Sequence, residues 1–310
     1  MTSTADCTRL LYDLEPVVTE NLNRHFGVAK DWMPHEYVPW SKGRDYADLG
    51  GQPWDPDQSQ LSPLARTALE VNLLTEDNLP SYHREIERTF GRDGAWGTWV
   101  HRWTAEEGRH AYCIRDYLLV TRGVDPDQLE QARMQVMQVG YHTGDKPTIR
   151  VLAYVAFQEL ATRISHRNTG RHAGDPIAER LLARVATDEN LHMVFYRNLV
   201  KAALEIAPGP TLRAITDEVA HFEMPGAVIP GFARKATRIA KAGIYDLRIH
   251  HDEVIWPLLR HWRVFDLEGL DEEGEQARTE LAEFLGQLDA QAKRFEERRA
   301  QAEARAAVRA

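Results

Sequence analysis

The sequence predicts an all-α fold, a four-helix bundle core with additional flanking helices. Two observations carry that prediction. Long stretches place apolar residues at i, i+3, i+4 and i+7, the stripe by which a helix buries one face, whereas strand-like alternation is scarce. Short Gly- and Pro-containing turns, rather than long linkers, separate these stretches, as in helices that pack against their chain neighbours.

Residues 8–26 form one amphipathic stretch, and residues 39–64 are rich in Gly, Pro and Asp and read as an irregular loop. Four long helical patterns follow, broken at GRDG (91–94), TRGVDP (121–126) and NTGRHAGDP (168–176), with a further break at APGP (207–210). The core bundle is expected over about residues 62–206, within a single domain spanning 1–310. Residues 1–61 supply an N-terminal helix and loop, and 207–310 supply flanking helices and a charged tail. Helices are expected at 211–221 and 232–245, and His250, His251 and the charges of 232–253 are expected to form a solvated face. From about Glu275 the chain is rich in Ala, Glu, Arg and Gln, which predicts a solvated helix or frayed end.

Composition excludes several functional classes. A chain of 310 residues, 43% hydrophobic, buries enough surface to fold without staples. Cys7 and Cys113 lie far apart, which excludes a disulfide scaffold and fits a reducing compartment. The N-terminal residues hold no apolar core of signal-peptide length, and no window approaches the length of a membrane span. A net charge of −9 argues against nucleic acid as the partner. A cytoplasmic protein is expected.

Two Glu-x-x-His pairs stand out, Glu107/His110 in TAEEGRH and Glu189/His192 in TDENLH. Spacing alone decides nothing: with 47 acidic residues and 13 His, chance supplies about two such matches, and Glu218/His221 is a third. The setting decides more. Glu107 and His110 fall inside a stripe of Trp96, Trp99, Val100, Trp103, Ile114, Tyr117 and Leu118, and Leu182, Val185, Tyr196 and Leu199 bracket the second pair likewise. A carboxylate in a core costs several kcal/mol unless it is paired or bound to metal.

Glu76 and Glu159 are misplaced in the same way, each on an apolar stripe. Glu76 precedes Glu107 by 31 residues and Glu159 precedes Glu189 by 30, each interval containing a Gly turn. That is a helical hairpin repeated twice: Glu on one helix, Glu-x-x-His on the next. Residues three apart on a helix point about 60° apart, so one Glu and one His can take adjacent positions around a metal. Four carboxylates neutralise two divalent cations, which is the pattern of the ferritin-like di-iron and di-manganese bundles. Oxygen-rich ligands with two imidazoles suit iron or manganese better than structural zinc.

Bland alternatives exist for each residue. Glu107 could complete a capping box with Thr104, and either His could be a satisfied core histidine. Glu218/His221 is read as structural, because its upstream Glu is already Glu189 and Met224-Pro225 soon ends the helix.

With TAEEGRH, FQELATRISHRNTGR and ATDENLH in place, the chain resembles the soluble acyl-[acyl-carrier-protein] desaturases, the plastid stearoyl-type enzymes and their actinobacterial relatives. The resemblance starts near DWMPHEYVPW (31–40), passes through LLTEDNLPSYH (73–83) and MPGAVIPGF, and runs to FEERRA. It implies a ferritin-like fold, a homodimer, and two Fe ions, with Mn as the other candidate, held by Glu76, Glu107, His110, Glu159, Glu189 and His192. By the same resemblance Thr162 assists oxygen or proton handling, and Trp32 and Asp188 carry electrons from a docked ferredoxin. Their ordinary readings are a core anchor for Trp32 and an acceptor for a ligand His for Asp188.

The implied reaction is O2-dependent removal of two hydrogens from adjacent methylenes of an acyl chain on acyl carrier protein, giving a cis double bond. The carrier is acidic, so a local basic patch is needed, with Arg234, Lys235, Arg238 and Lys241 as candidates. One departure from the plant pattern bears on substrate: SYHREIERTFG brings Glu85 and Arg88 to the far end of the acyl channel. No transit peptide precedes the domain, which implies a bacterial cytosolic version. The alternative readings are a di-iron hydroxylase or N-oxygenase, or a non-catalytic metal store or carrier-binding homologue.

Overall fold

A computed structural model describes residues 4–309. Every regular element among the described residues is a helix, and none is a strand. Helix α1 (Thr4–Val28) leads into a loop of short 3-10 turns, followed by α2 (Pro63–Glu76), α3 (Leu79–Phe90), α4 (Gly94–Val120) and α5 (Pro126–Val139). Then come α6 (Thr148–His172), α7 (Pro176–Ile206), α8 (Pro208–Ala220), α9 (Phe232–Lys241), α10 (Leu247–Ile249), α11 (Trp256–Trp262) and α12 (Glu272–Arg309). The α2–α3 pair, α4, α7 and α6 close a four-membered ring, each packing on its neighbours. Helix α1 lies against α4 and α7, α5 and α9 against α2, and α12 against α8.

Helix starts follow simple chemistry. Ser62, Asp125 and Asp175 cap α2, α5 and α7 by accepting backbone N–H bonds, each followed by a Pro whose missing N–H costs nothing there. The first long pattern is interrupted where the sequence shows no Gly. Pro80 has no N–H to donate to the Glu76 carbonyl, so the ladder stops at Glu76 and restarts as α3.

Five expectations change. The third long pattern is two helices, because Gly140 (φ 69°) and Gly144 (φ 64°) turn the chain between α5 and α6. The break expected at 168–176 shrinks to Ala173–Asp175, since α6 continues through Gly170. A Cβ at Gly170 would stand 3.2 Å from Glu179 Cα and Leu182 Cβ, so this glycine permits close α6–α7 packing and does not end the helix.

The tail is not a solvated helix over its first half. Ala277, Leu281, Leu285, Leu288 and Ala292 are buried, and Arg213 of α8 pairs with Glu280 at 2.5 Å. Nor do His250 and His251 lie on a solvated face. A π-helical turn (His250–Ile255) buries His251 and stacks His250 on Phe222 at 4.8 Å, with Tyr245 Oη 2.9 Å from His250 Nδ1. Helix α9 ends at Lys241 rather than 245, at Gly243 (φ 71°).

Cys113 is buried and free, and the Cys7 side chain lies outside the described residues. Glu218 is structural: fully buried, it pairs with Lys146 at 2.8 Å and Arg150 at 2.6 Å, while His221 is exposed.

Leu281→Ala is expected to destabilise the protein by about 2–5 kcal/mol in urea unfolding, where a solvated tail would change by under about 0.5. Burial and the adjacent His251 lower the His250 pKa from 6.5 to about 4. The unfolded chain therefore takes up this proton first, and stability falls as pH drops from 6.5 to 4. His250→Gln should flatten that part of the pH profile.

Candidate metal centre

The ring brings all six metal-ligand candidates to one place. Glu76 stands at the end of α2, Glu107 and His110 on α4, Glu159 on α6, and Glu189 and His192 on α7. None is more than 7% exposed. They form two overlapping groups, Glu76, Glu107, His110 and Glu189, and Glu107, Glu159, Glu189 and His192. In each, one ligand-type atom per residue lies within 4.8 Å of all the others. Glu107 and Glu189 belong to both groups, the positions that bridging carboxylates take between two ions.

The donor atoms themselves fit a metal. Glu107 Oε1, Glu159 Oε2, Glu189 Oε1, His110 Nδ1 and His192 Nδ1 are buried and make no well-directed hydrogen bond, although His192 Nδ1 faces Glu107 Oε1 at 2.8 Å and His110 Nδ1 faces Glu189 Oε1 at 3.1 Å. Five such orphans converging in one core would be costly in any protein that left them so. Burial and the facing Glu189 push the Glu107 and Glu159 carboxyls upward, Glu159 strongly. Burial works against charge on His110 and His192, yet the surrounding carboxylates override it and hold both well above the usual imidazole range. The cluster is short of positive charge.

A surrounding layer fixes the imidazoles. His110 Nε2 lies 3.4 Å from Asp188 Oδ2, which also accepts from Trp32 Nε1 at 2.7 Å and Arg109 at 3.1 Å. Arg184 pairs with the other Asp188 oxygen. Trp32 is therefore both a buried core anchor and a hydrogen-bond donor to Asp188. Thr162 Oγ1 donates to Glu189 Oε2 at 2.7 Å.

Sequence reading missed the matching arm on the other imidazole. His192 Nε2 and His25 Nε2 both donate to Glu106 Oε2 at 2.9 Å, and Arg102 Nε donates to Glu106 Oε1 at 2.7 Å. Its Glu106 neighbours Glu107 in sequence and was hidden by it; His25 sits on α1 and meets the site only through tertiary packing. His166, which donates to Glu76 Oε1 at 2.8 Å, was findable, being seven residues and two turns beyond Glu159.

A narrow cavity touches the cluster. Glu76, Glu107 and Thr162 line one end, and Ile86, Trp103, Val151, Val155 and Met224 its walls, toward Tyr141 and Thr143. A second cavity shares Thr75, Thr162 and Met224 with the first and runs under α9, where Phe232, Ala236 and Ile239 line it. Glu85 and Arg88 do not line the first cavity, contrary to expectation. Buried Glu85 accepts from Thr143 Oγ1 at 2.8 Å and Arg88 at 2.9 Å, so Thr143 stands between it and the opening. These bonds outweigh burial and hold its pKa down at about 2.

A family model described as fatty acid desaturase matches residues 7–310. The chain is 50% identical over 296 residues to a Mycobacterium tuberculosis protein named as an acyl-[acyl-carrier-protein] desaturase, DesA1, covering 93% of this chain and 88% of that one. It is 31% identical over 330 residues to the chloroplastic stearoyl-[acyl-carrier-protein] 9-desaturase 5 of Oryza sativa subsp. japonica, covering 96% and 80%. The crystal structure of the M. tuberculosis H37Rv acyl-ACP desaturase homologue DesA2 superposes with a TM-score of 0.71 at 33% identity, covering 87% of this chain and 99% of that one.

Because Glu107 belongs to both groups, Glu107→Ala is expected to abolish binding of both ions in a cobalt titration, while His221→Ala leaves binding unchanged. Retention of two ions by the first variant would contradict the shared-ligand geometry.

Proposed function

The chain belongs to the fatty acid desaturase family, and from that premise we propose how it works as an acyl-[acyl-carrier-protein] desaturase. Glu76, Glu107, His110, Glu159, Glu189 and His192 would hold two iron ions, with Glu107 and Glu189 within reach of both, beside the cavity that receives the acyl chain. The observation that carries this reading is the convergence of five buried donor atoms that make no well-directed hydrogen bond, beside an apolar cavity that Glu76 and Glu107 line. Manganese satisfies the same donor set, and the reaction favours iron.

When bound, the metal pair would supply what no side chain can, the O2-dependent oxidation by which a saturated chain, O2, two electrons and two protons give an unsaturated chain and two waters. The chain's own residues do the rest. Ile86, Trp103, Val151 and Val155 hold the methylenes against the cluster and keep water away. Thr162, at the cavity edge and bonded to Glu189, is placed to hold or pass a proton through its hydroxyl. Asp188 and Glu106 turn the imidazoles so that Nδ1 of each faces inward. The Trp32–Asp188–His110 series offers the electron path, from a ferredoxin-type donor.

The acyl chain enters under α9. Arg234, Arg238 and Lys241 are exposed on that helix, whose other face lines the second cavity, so an acidic acyl carrier protein docked there can thread its chain toward the metals. Lys235 contributes less, being paired with Glu70 at 2.7 Å. Exposed Met134 and Met137 on α5 support a homodimeric assembly, and no helix of the described residues is long and apolar enough to cross a membrane, which fits a cytoplasmic enzyme.

The test is reconstitution with ferrous iron, a reduced ferredoxin, O2 and acyl carriers bearing a range of saturated chains. A product lighter by two hydrogens is expected for at least one chain length. A product heavier by one oxygen would indicate a hydroxylase, and no product with two irons bound would remove the desaturase reading.

A further inference from the structure

The outer face of α6 and α7 carries a groove that the mechanism above does not use. Arg163 and Arg167 of α6 and Arg197 of α7 line it, over a floor that includes Ile164 and Met193, with the α10–α11 segment as its rim. It continues along α6 past Arg171, four residues beyond Arg167 and on the same face.

Its charges are only partly neutralised. Arg167 pairs with Glu253 at 2.6 Å, and Asp252 is occupied by His251 and Arg248. Among the described residues Arg163 makes no direct hydrogen bond or ion pair, and Glu253, already bound to Arg167, acts on it only through space. Arg197 has only a 3.4 Å contact to Asn198, and its Nε is buried and unpaired. Burial and the closeness of Arg24 depress the Arg197 pKa; burial, Arg197 and Lys201 depress that of His261. Arg24, Arg197 and Lys201 thus gather with no ion pair among the described residues, in a chain whose net charge is −9. By contrast Arg102, Arg109 and Arg184, around Trp32, are taken up by Glu106 and Asp188.

Position excludes the acyl carrier from this groove. It shares no lining residue with either cavity that reaches the metal cluster, so a chain inserted here has no path to the site. It nevertheless lies directly behind the ligand helices: Asn190 and Met193 follow Glu189 and His192 in sequence, and Arg163 follows Thr162. A partner seated on it is about one helix diameter, roughly 10 Å, from the inner faces of α6 and α7. At its α6–α7 turn end, Ala183 and Thr187 adjoin Arg184 and Asp188 on α7, beside the Trp32–Asp188 pair. Such a site can pass electrons but not atoms.

We propose that the arginine groove over α6 and α7 is the docking surface for an acidic iron–sulfur electron donor, distinct from the carrier-docking face of α9. The proposal rests on the desaturase reading, whose reaction consumes two electrons per double bond: saturated acyl chain, O2, two electrons and two protons give the unsaturated chain and two waters. Each electron comes from one reduced cluster, which is oxidised by one unit.

The test uses the iron-loaded protein and an acidic [2Fe–2S] ferredoxin, with affinity measured by calorimetry at low and high salt. Arg163→Glu/Arg197→Glu should raise the ferredoxin Kd by about tenfold or more at low salt and flatten its salt dependence, since opposed like charges are costly when poorly screened. Arg163→Gln/Arg197→Gln should fall between, and both should keep the wild-type melting temperature, acyl-carrier affinity and dithionite-driven single turnover. Arg234→Glu/Arg238→Glu should weaken carrier binding and leave ferredoxin affinity unchanged. A ferredoxin Kd unchanged by the groove variants would overturn the proposal. So would a loss of carrier affinity instead, or conversion of a dimer to monomer, which would make the groove a carrier or self-association surface. If wild type turns over with dithionite but neither binds nor accepts electrons from ferredoxin, the donor class itself is wrong. If wild type fails to desaturate under any reductant, the fault lies with the desaturase reading.

Discussion

Four carboxylates are buried in the centre of this bundle, and the rest of the structure is organised around that cost. Removing one carboxylate from water costs several kcal/mol even after relaxation, and here four do so within a few ångströms of one another. The chain offers them only two imidazoles and the hydrogen bonds of Trp103, Thr162 and His166. The remaining deficit is what two divalent cations would remove. The other buried carboxylates nearby are met by cations: Glu106 and Asp188 by arginines, and Glu85 and Glu218 by two basic side chains each. The inner four meet imidazoles and no arginine or lysine among the described residues.

The same constraint explains which parts of the site were legible in the sequence. A carboxylate on an apolar stripe is visible as a violation of helical pattern, and a violation repeated at near-equal intervals identifies Glu76, Glu107, Glu159 and Glu189 without any structure. The layer behind them leaves no such mark. His25 lies on α1, far from every ligand in sequence, and reaches Glu106 only because α1 packs against α4 and α7. Glu106 itself looks like surface charge next to Glu107.

Helix ends were legible where Gly or Pro ends a helix by its own backbone chemistry, and misread where packing decides. Gly170 resembles a breaker but serves a 3.2 Å approach between α6 and α7. Pro80 interrupts the first long pattern directly after Glu76, at the site itself. The tail from Glu272 is mostly polar, and its buried Leu281, Leu285 and Leu288 form too thin a stripe to stand out from the charges around them. Residues around His250 were read as solvated because charge is dense there, yet the acidic groups of α12 take up Arg248 and the ring of His250 turns inward. Composition gives the amount of charge, and only packing decides where it goes.

The most direct test of this account is anomalous diffraction from crystals of the iron-loaded protein, recorded at the iron edge. It predicts two peaks per chain inside the ring, both within bonding distance of Glu107 and Glu189, one adjoining His110 and the other His192. A single peak, no peak, or iron bound elsewhere with the six side chains arranged as described here would contradict it.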